Sequence, residues 1–161
     1  MRVVPTMTTM KHVLLAALLP LGLAATAGPA AAADPQPVQP FVPGINEDAD
    51  LSAAWQSWQA KGIDDYVITV RKTCFCVRTA PVETVIRNDR TVRVTQGDRR
   101  LKAARGWSMD ELYSLVRSAR SDAERVDVEW TRRGVPSSIA IDPSAMIADE
   151  ETYYTVTLSR P

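Results

Sequence analysis

The only two cysteines of this 161-residue chain stand one residue apart, Cys74 and Cys76, in the stretch TCFCV. Two thiols at that spacing have three chemistries open to them. In an extended strand, residues two apart share a face with Cα atoms about 6.6 Å apart, near the upper limit of roughly 6.8 Å for a disulfide. An intrachain bond therefore requires the strand to bend between Lys72 and Val77. The ring so closed is short enough that chain entropy accounts for only about 1.6 kcal/mol of stabilisation. Strain can offset that gain, which makes a labile, redox-active pair the second option. The third is a soft metal such as Cu(I) held by the reduced thiolates; downstream of residue 33 only Met109 and Met146 add further soft ligands.

The remaining reactive side chains are carboxylates. The stretch IDPSAMIADEE brings Asp142, Asp149, Glu150 and Glu151 into one loop. Paired carboxylates can hydrolyse glycosides or hold calcium through oxygen, but the spacing is not that of an EF-hand loop, and a solvated turn between strands is the simpler reading. The one histidine is His12, inside a segment expected to be removed. That excludes serine–histidine and cysteine–histidine nucleophile pairs, histidine-bound zinc and a histidine general base from the mature protein. No Gly-x-Gly-x-x-Gly or Walker pattern supports nucleotide binding. No catalytic residue and no cofactor are assigned, and the metal question stays open.

The compartment bears on what the cysteines can mean. Residues 1–33 carry Arg2 and Lys11, no acidic residue, an apolar core VLLAALLPLGLAATA and a small-residue exit with Ala31 and Ala33. This is the layout of a secretory signal peptide, and the core is shorter than the roughly 20 apolar residues of a membrane span. Cleavage after Ala33 leaves a chain starting at Asp34 with two more acidic than basic residues, of ordinary single-domain length and without a membrane span. It carries no electrostatic footprint for nucleic acid, and the short basic runs around Arg99–Arg100 and at Arg132 and Arg133 read as solvated turns. An exported domain sits where disulfides persist.

The elements that must position these groups follow from periodicity. Residues 34–50 hold four prolines and read as a flexible, extended tether. Asp50 can cap a helix in which Leu51, Ala54, Trp55 and Trp58 share a face, stopped by Gly62. Strands follow over 65–77, 82–87 and 91–96, punctuated by Ala80-Pro81 and by Asn88, Asp89 and Arg90. Ser108 and Glu111 form a capping box ahead of a second helix with Leu112, Leu115, Val116 and Ala119 on one face. Three further strands are expected over 125–131, 137–142 and 152–159. The expectation is an α+β domain over 51–161, an antiparallel sheet of about six strands with two helices on one face, in the order αβββαβββ.

The combination DDYVITV, CFC and VETVIRND, followed by GVPSSIAID and ADEETYYTVTL, resembles a family of small secreted or membrane-tethered bacterial proteins known only as a domain of unknown function. The resemblance runs from about Trp55 to Leu158. Its recurrent features fall on Tyr66, on Cys74 and Cys76, on Gly134 and Pro136, on Ile139, Ile141 and Asp142, and on Asp149, Glu150 and Glu151. It implies the domain limits and no activity. Tyr66, Asp142, Asp149, Glu150 and Glu151 are accordingly the binding candidates. The expected function is a secreted, non-enzymatic binding or inhibitory domain whose partner is an extracytoplasmic protein or small ligand. The alternative is an extracytoplasmic thiol redox or soft-metal protein working through Cys74 and Cys76.

Overall fold

The computed structural model describes residues 34–147 and 149–161; the signal peptide expected over 1–33 lies outside them. The class is α+β as expected, but the sheet has eight strands rather than six. These are β1 (Gln36–Pro37), β2 (Tyr66–Cys74), β3 (Val82–Arg87), β4 (Arg90–Gln96), β5 (Arg99–Arg100), β6 (Arg125–Trp130), β7 (Pro136–Asp142) and β8 (Thr152–Ser159). Helix α1 (Ala49–Gln59) follows β1, and α2 (Met109–Asp122) follows β5 after a 3-10 turn at Ala103–Arg105. The two extra strands, and hence the changed order, are two residues long each; no alternation can register over two residues.

All pairings are antiparallel, in the order β1-β4-β3-β2-β8-β7-β6, with β5 added on β4. The β3–β4 turn works because Asn88 and Asp89 both take positive φ, 48° and 55°, the conformation of a tight hairpin that Asn and Asp tolerate. Two meanders meet at the centre, where β2 lies against β8 from Val67 opposite Ser159 to Cys74 opposite Thr152. On one face Tyr66, Ile68 and Val70 of β2, Tyr154 and Val156 of β8 and Ile139 of β7 are buried with Leu51, Ala54 and Trp58 of α1 and Met109, Leu112, Tyr113 and Val116 of α2. Trp58 meets Tyr66 edge-on with centroids 5.4 Å apart, so it is a core anchor, whereas Trp55 is only partly buried.

Helix α2 begins with the expected capping box: Glu111 N donates to Ser108 Oγ at 3.1 Å and Ser108 N to Glu111 Oε2 at 2.7 Å. Helix α1 starts differently from expectation. Its N-cap is Asp48, without a side-chain cap bond, and Asp50 instead accepts two bonds from Arg120, at 2.8 and 2.6 Å, and one from Trp130 Nε1 at 3.2 Å. The planar guanidinium fork outcompetes a local backbone N–H because it is charged and bidentate.

The segment over 34–50, expected as a flexible tether, is extended as its prolines require but packed along the domain. Val38 N donates to Asp89 O at 2.9 Å, Arg90 to Pro35 O at 2.7 Å and Phe41 N to Asp110 Oδ1 at 2.7 Å. Phe41 is 3% exposed, its ring 5.5 Å from Tyr113 and 4.1 Å under the Arg117 guanidinium. Arg117 also holds Glu47 through Nε at 2.7 Å and Val42 O at 2.7 Å. One aromatic and one arginine thus convert a proline-rich run into a strap.

The Arg120 bonds to Asp50, helped by Trp130 and opposed by partial burial, hold the Asp50 carboxyl at about 2, below its ordinary 3.8. A depressed folded-state pKa adds stability that is complete above 3.8 and is lost as pH falls through about 2. Because the Asp50 side chain is 50% exposed, solvent screening leaves about 1 kcal/mol of the gain. Asp50→Asn is therefore expected to lower unfolding stability by about 1 kcal/mol at neutral pH and to match the parent near pH 2, as read by urea titration at each pH. An equal deficit at both would mean that packing, not charge, is what the substitution removes.

Candidate functional site

Strand β2 ends at Cys74, three residues before the expected Val77, and the chain bends at Phe75 and Cys76. Cys74 and Cys76 lie at disulfide distance with Cα atoms 5.1 Å apart, well inside the span of a straight strand. The bend is a three-residue turn: Cys76 N donates to Cys74 O at 2.7 Å, an i to i+2 closure common at strand ends. Its consequence is to turn the side chain between the cysteines outward. Phe75 is 82% exposed and Val77 86%.

The register fixes what stands beside this turn. Cys74 faces Thr152, the first residue of β8, and Thr152 in turn faces Ile141 near the end of β7. The loops over 75–81 and 143–151 therefore spring from the same end of the sheet. The second loop exposes Met146 at 90%, with Ile147 half-exposed, and Tyr153 is exposed on β8. The expected carboxylates belong here too: Asp142 closes β7 and accepts from Ser144 N at 3.1 Å, and Asp149, Glu150 and Glu151 lead into β8. Among the described residues no three His, Cys, Asp or Glu side chains converge as metal ligands.

On the other side of the cysteines the surroundings are basic. A cavity of about 200 Å³ is lined by Arg71, Lys72 and Arg78 together with Cys74 and Cys76. It adjoins a second cavity of about 650 Å³, which shares Lys72 and Thr79 and reaches Val82, Leu101 and Trp107. The sequence places Arg71 and Lys72 in the expected strand over 65–77 and Arg78 just after it, an assignment that does not join them to the cysteines. Alternation places Lys72 on the face of Cys74, a signal that could have been used.

Tyr66, the remaining candidate, stands at the opposite end of β2 and apart from this group. It is 3% exposed and its hydroxyl accepts from Met109 N at 3.2 Å; burial, foremost, pushes its phenol further above the ordinary range. Its place is the wall of a cavity of about 440 Å³ that also takes in Trp58, Asp64, Asp89 and Asp110. Burial raises the carboxyl pKa of both Asp89 and Asp110, and Asp64 and Asp65 raise that of Asp89 further. These carboxylates come from separate segments, so no local pattern in the sequence announces them.

The comparisons with known proteins come to one finding: residues 50–161 match the sequence model described as "Family of unknown function (DUF6174)". No curated protein and no solved structure matches the chain. The match begins at Asp50, so the strap that packs Phe41 lies outside it. Among the described residues, no helix is long and apolar enough to cross a membrane.

Proposed function

We propose that this chain, which belongs to the DUF6174 family, is a secreted, non-enzymatic binding domain that meets its partner through the sheet end carrying Cys74 and Cys76. The observation that supports this most is the exposure of Phe75, Val77 and Met146 on two neighbouring loops. Exposed apolar side chains gathered at one end of a sheet, with charged residues on the same loops, are where an interaction surface is expected. The cysteine bridge serves that role mechanically. It fixes the backbone of the Phe75 turn before binding, so less conformational freedom is lost on contact. Export is supported by the leader-like composition of residues 1–33 and agrees with an oxidised cysteine pair.

A photoreactive amino acid placed at position 75 or 146, and at the exposed Gln56 of α1 as control, tests this in the producing cell. Covalent adducts are expected from the first two positions and none from the third. Adducts from none of them, or from all equally, would overturn the reading. In the same sample, mass analysis of the exported chain should find an N-terminus near Asp34.

The cationic cavity around the cysteines favours a second reading, thiol–disulfide exchange. An incoming substrate thiolate would attack one cysteine sulfur, the other leaving as a thiolate with Lys72 and Arg78 beside it, and a second substrate thiol would then release the first as a disulfide. The reduction potential separates the two: a structural bridge lies below about −300 mV, an exchanging one nearer −200 mV.

A further inference from the structure

The surface just described is electrically split, and the split identifies a partner. One half, on β2 and the loop after it, carries Arg71, Lys72 and Arg78. The other half, on the loop between β7 and β8 and its ends, carries Asp142, Asp149, Glu150 and Glu151. None of these residues enters an ion pair among the described residues, a state they share with other surface charges such as Arg132 and Arg133; Lys72 stands 5.8 Å over the Tyr154 ring and Asp142 accepts from Ser144 N. Exposed apolar side chains, Phe75 on the first loop and Met146 and Ile147 on the second, accompany the two halves.

We infer that this end of the sheet binds a second copy of the same chain, the two related by a twofold axis through the apolar centre. The inference rests on the reading of this end as a binding surface. A twofold axis places each half of the surface on the opposite half of its mate, so the basic loop of each copy meets the acidic loop of the other while Phe75 and Met146 bury each other. A partner of one sign cannot do this. A polyanion such as nucleic acid or an anionic lipid surface would be drawn to Arg71 and Arg78 but repelled by Glu150 and Glu151, and a cationic partner would meet the reverse. Like charges brought together in an interface cost several kcal/mol, whereas a self-complementary surface has none.

Sedimentation of the full chain as processed by its host, over a wide range of concentration and at two salt concentrations, tests the inference. The parent is expected to form a dimer whose Kd rises at least about tenfold from low to high salt. Arg71→Glu with Arg78→Glu makes both halves acidic, and Glu150→Lys with Glu151→Lys leaves the basic half unchanged while removing the net negative charge of the other. Each double variant alone is expected to weaken dimerisation by at least about tenfold, and an equimolar mixture of the two is expected to recover it as a mixed dimer. Circular dichroism checks that each variant is folded; Arg71, Arg78 and Glu150 are exposed and Glu151 is partly so. A monomeric parent, variants that dimerise like the parent, or a mixture that stays monomeric overturns the inference. A monomeric parent whose position 75 still crosslinks to a different protein defeats the dimer alone; no crosslink at that position defeats the binding surface as well.

Discussion

Gly134→Ala is expected to destabilise the domain by about 3 to 5 kcal/mol, a large part of the roughly 5 to 15 kcal/mol that separates a folded domain from its unfolded chain. Two independent costs combine. The backbone at Gly134 has φ +80°, a region that charges a side-chain-bearing residue about 1 to 3 kcal/mol. A Cβ there would also stand 1.9 Å from Ala54 O and 2.9 Å from Ala54 C. That neighbour is helix backbone and cannot swing aside; making room means displacing α1, whose Leu51, Ala54 and Trp58 are buried, and such overpacking typically costs another 1 to 3 kcal/mol or so. The same residue anchors α2, because Tyr113 donates its hydroxyl to Gly134 O at 3.1 Å. One glycine thus joins both helices to the β6–β7 turn. The urea midpoint measures the effect, with Gly44→Ala as the comparison: no atom lies within 4 Å of a Cβ there, so its midpoint should move little. A similar midpoint for both variants would show that α1 is not held against the turn.

Phe41→Ala is expected to cost about 3 to 5 kcal/mol, the usual penalty for emptying a buried aromatic site. The side chain fills space between Tyr113 and Arg117, and its own N–H binds Asp110, so truncation leaves a cavity at the α2 surface and loosens the strap's hold there. Ile45→Ala in the same segment should be silent, as Ile45 is fully exposed. A tether would give no change for either substitution. Amide exchange gives a second reading of the same point: the Val38 and Phe41 N–H groups should be protected in the parent and lose protection in the Phe41 variant. Unchanged urea midpoints and fast exchange at both amides would restore the tether and confine the domain to the matched residues.

These two results bear on the binding surface as well. The β2–β8 pairing that brings Phe75 next to the acidic loop is the centre of the sheet, and its inward residues Ile68, Val70 and Val156 pack in the same core as Phe41 and the α1 face. Loss of the strap or of the Gly134 contact should therefore weaken the frame that holds the two loops at one end, without touching a residue of the surface itself.

What could be read from the sequence was local. The capping box at Ser108 and Glu111, the helical spacing of Leu112 and Val116, the break at Asn88, Asp89 and Arg90 and the two strand triplets each rest on residues within a few positions of one another, where backbone preference and period suffice. The bend at Cys74 and Cys76 was legible for the same reason, since two residues two apart cannot bond in a straight strand. The family resemblance was legible too, because it rested on short runs such as CFC and GVPSSIAID. What the tertiary structure alone decided involves residues far apart in the chain. Asp50 cannot be known as the partner of Arg120 rather than a helix cap until α1 and α2 are set side by side. Phe41 cannot be known as a core residue until α2 offers Arg117 and Tyr113. The basic loop after β2 and the acidic loop before β8 become one surface only because the first meander's opening strand pairs with the last strand of the chain. That pairing is set by which buried faces fit together across the whole core, a property that no stretch of this sequence carries by itself.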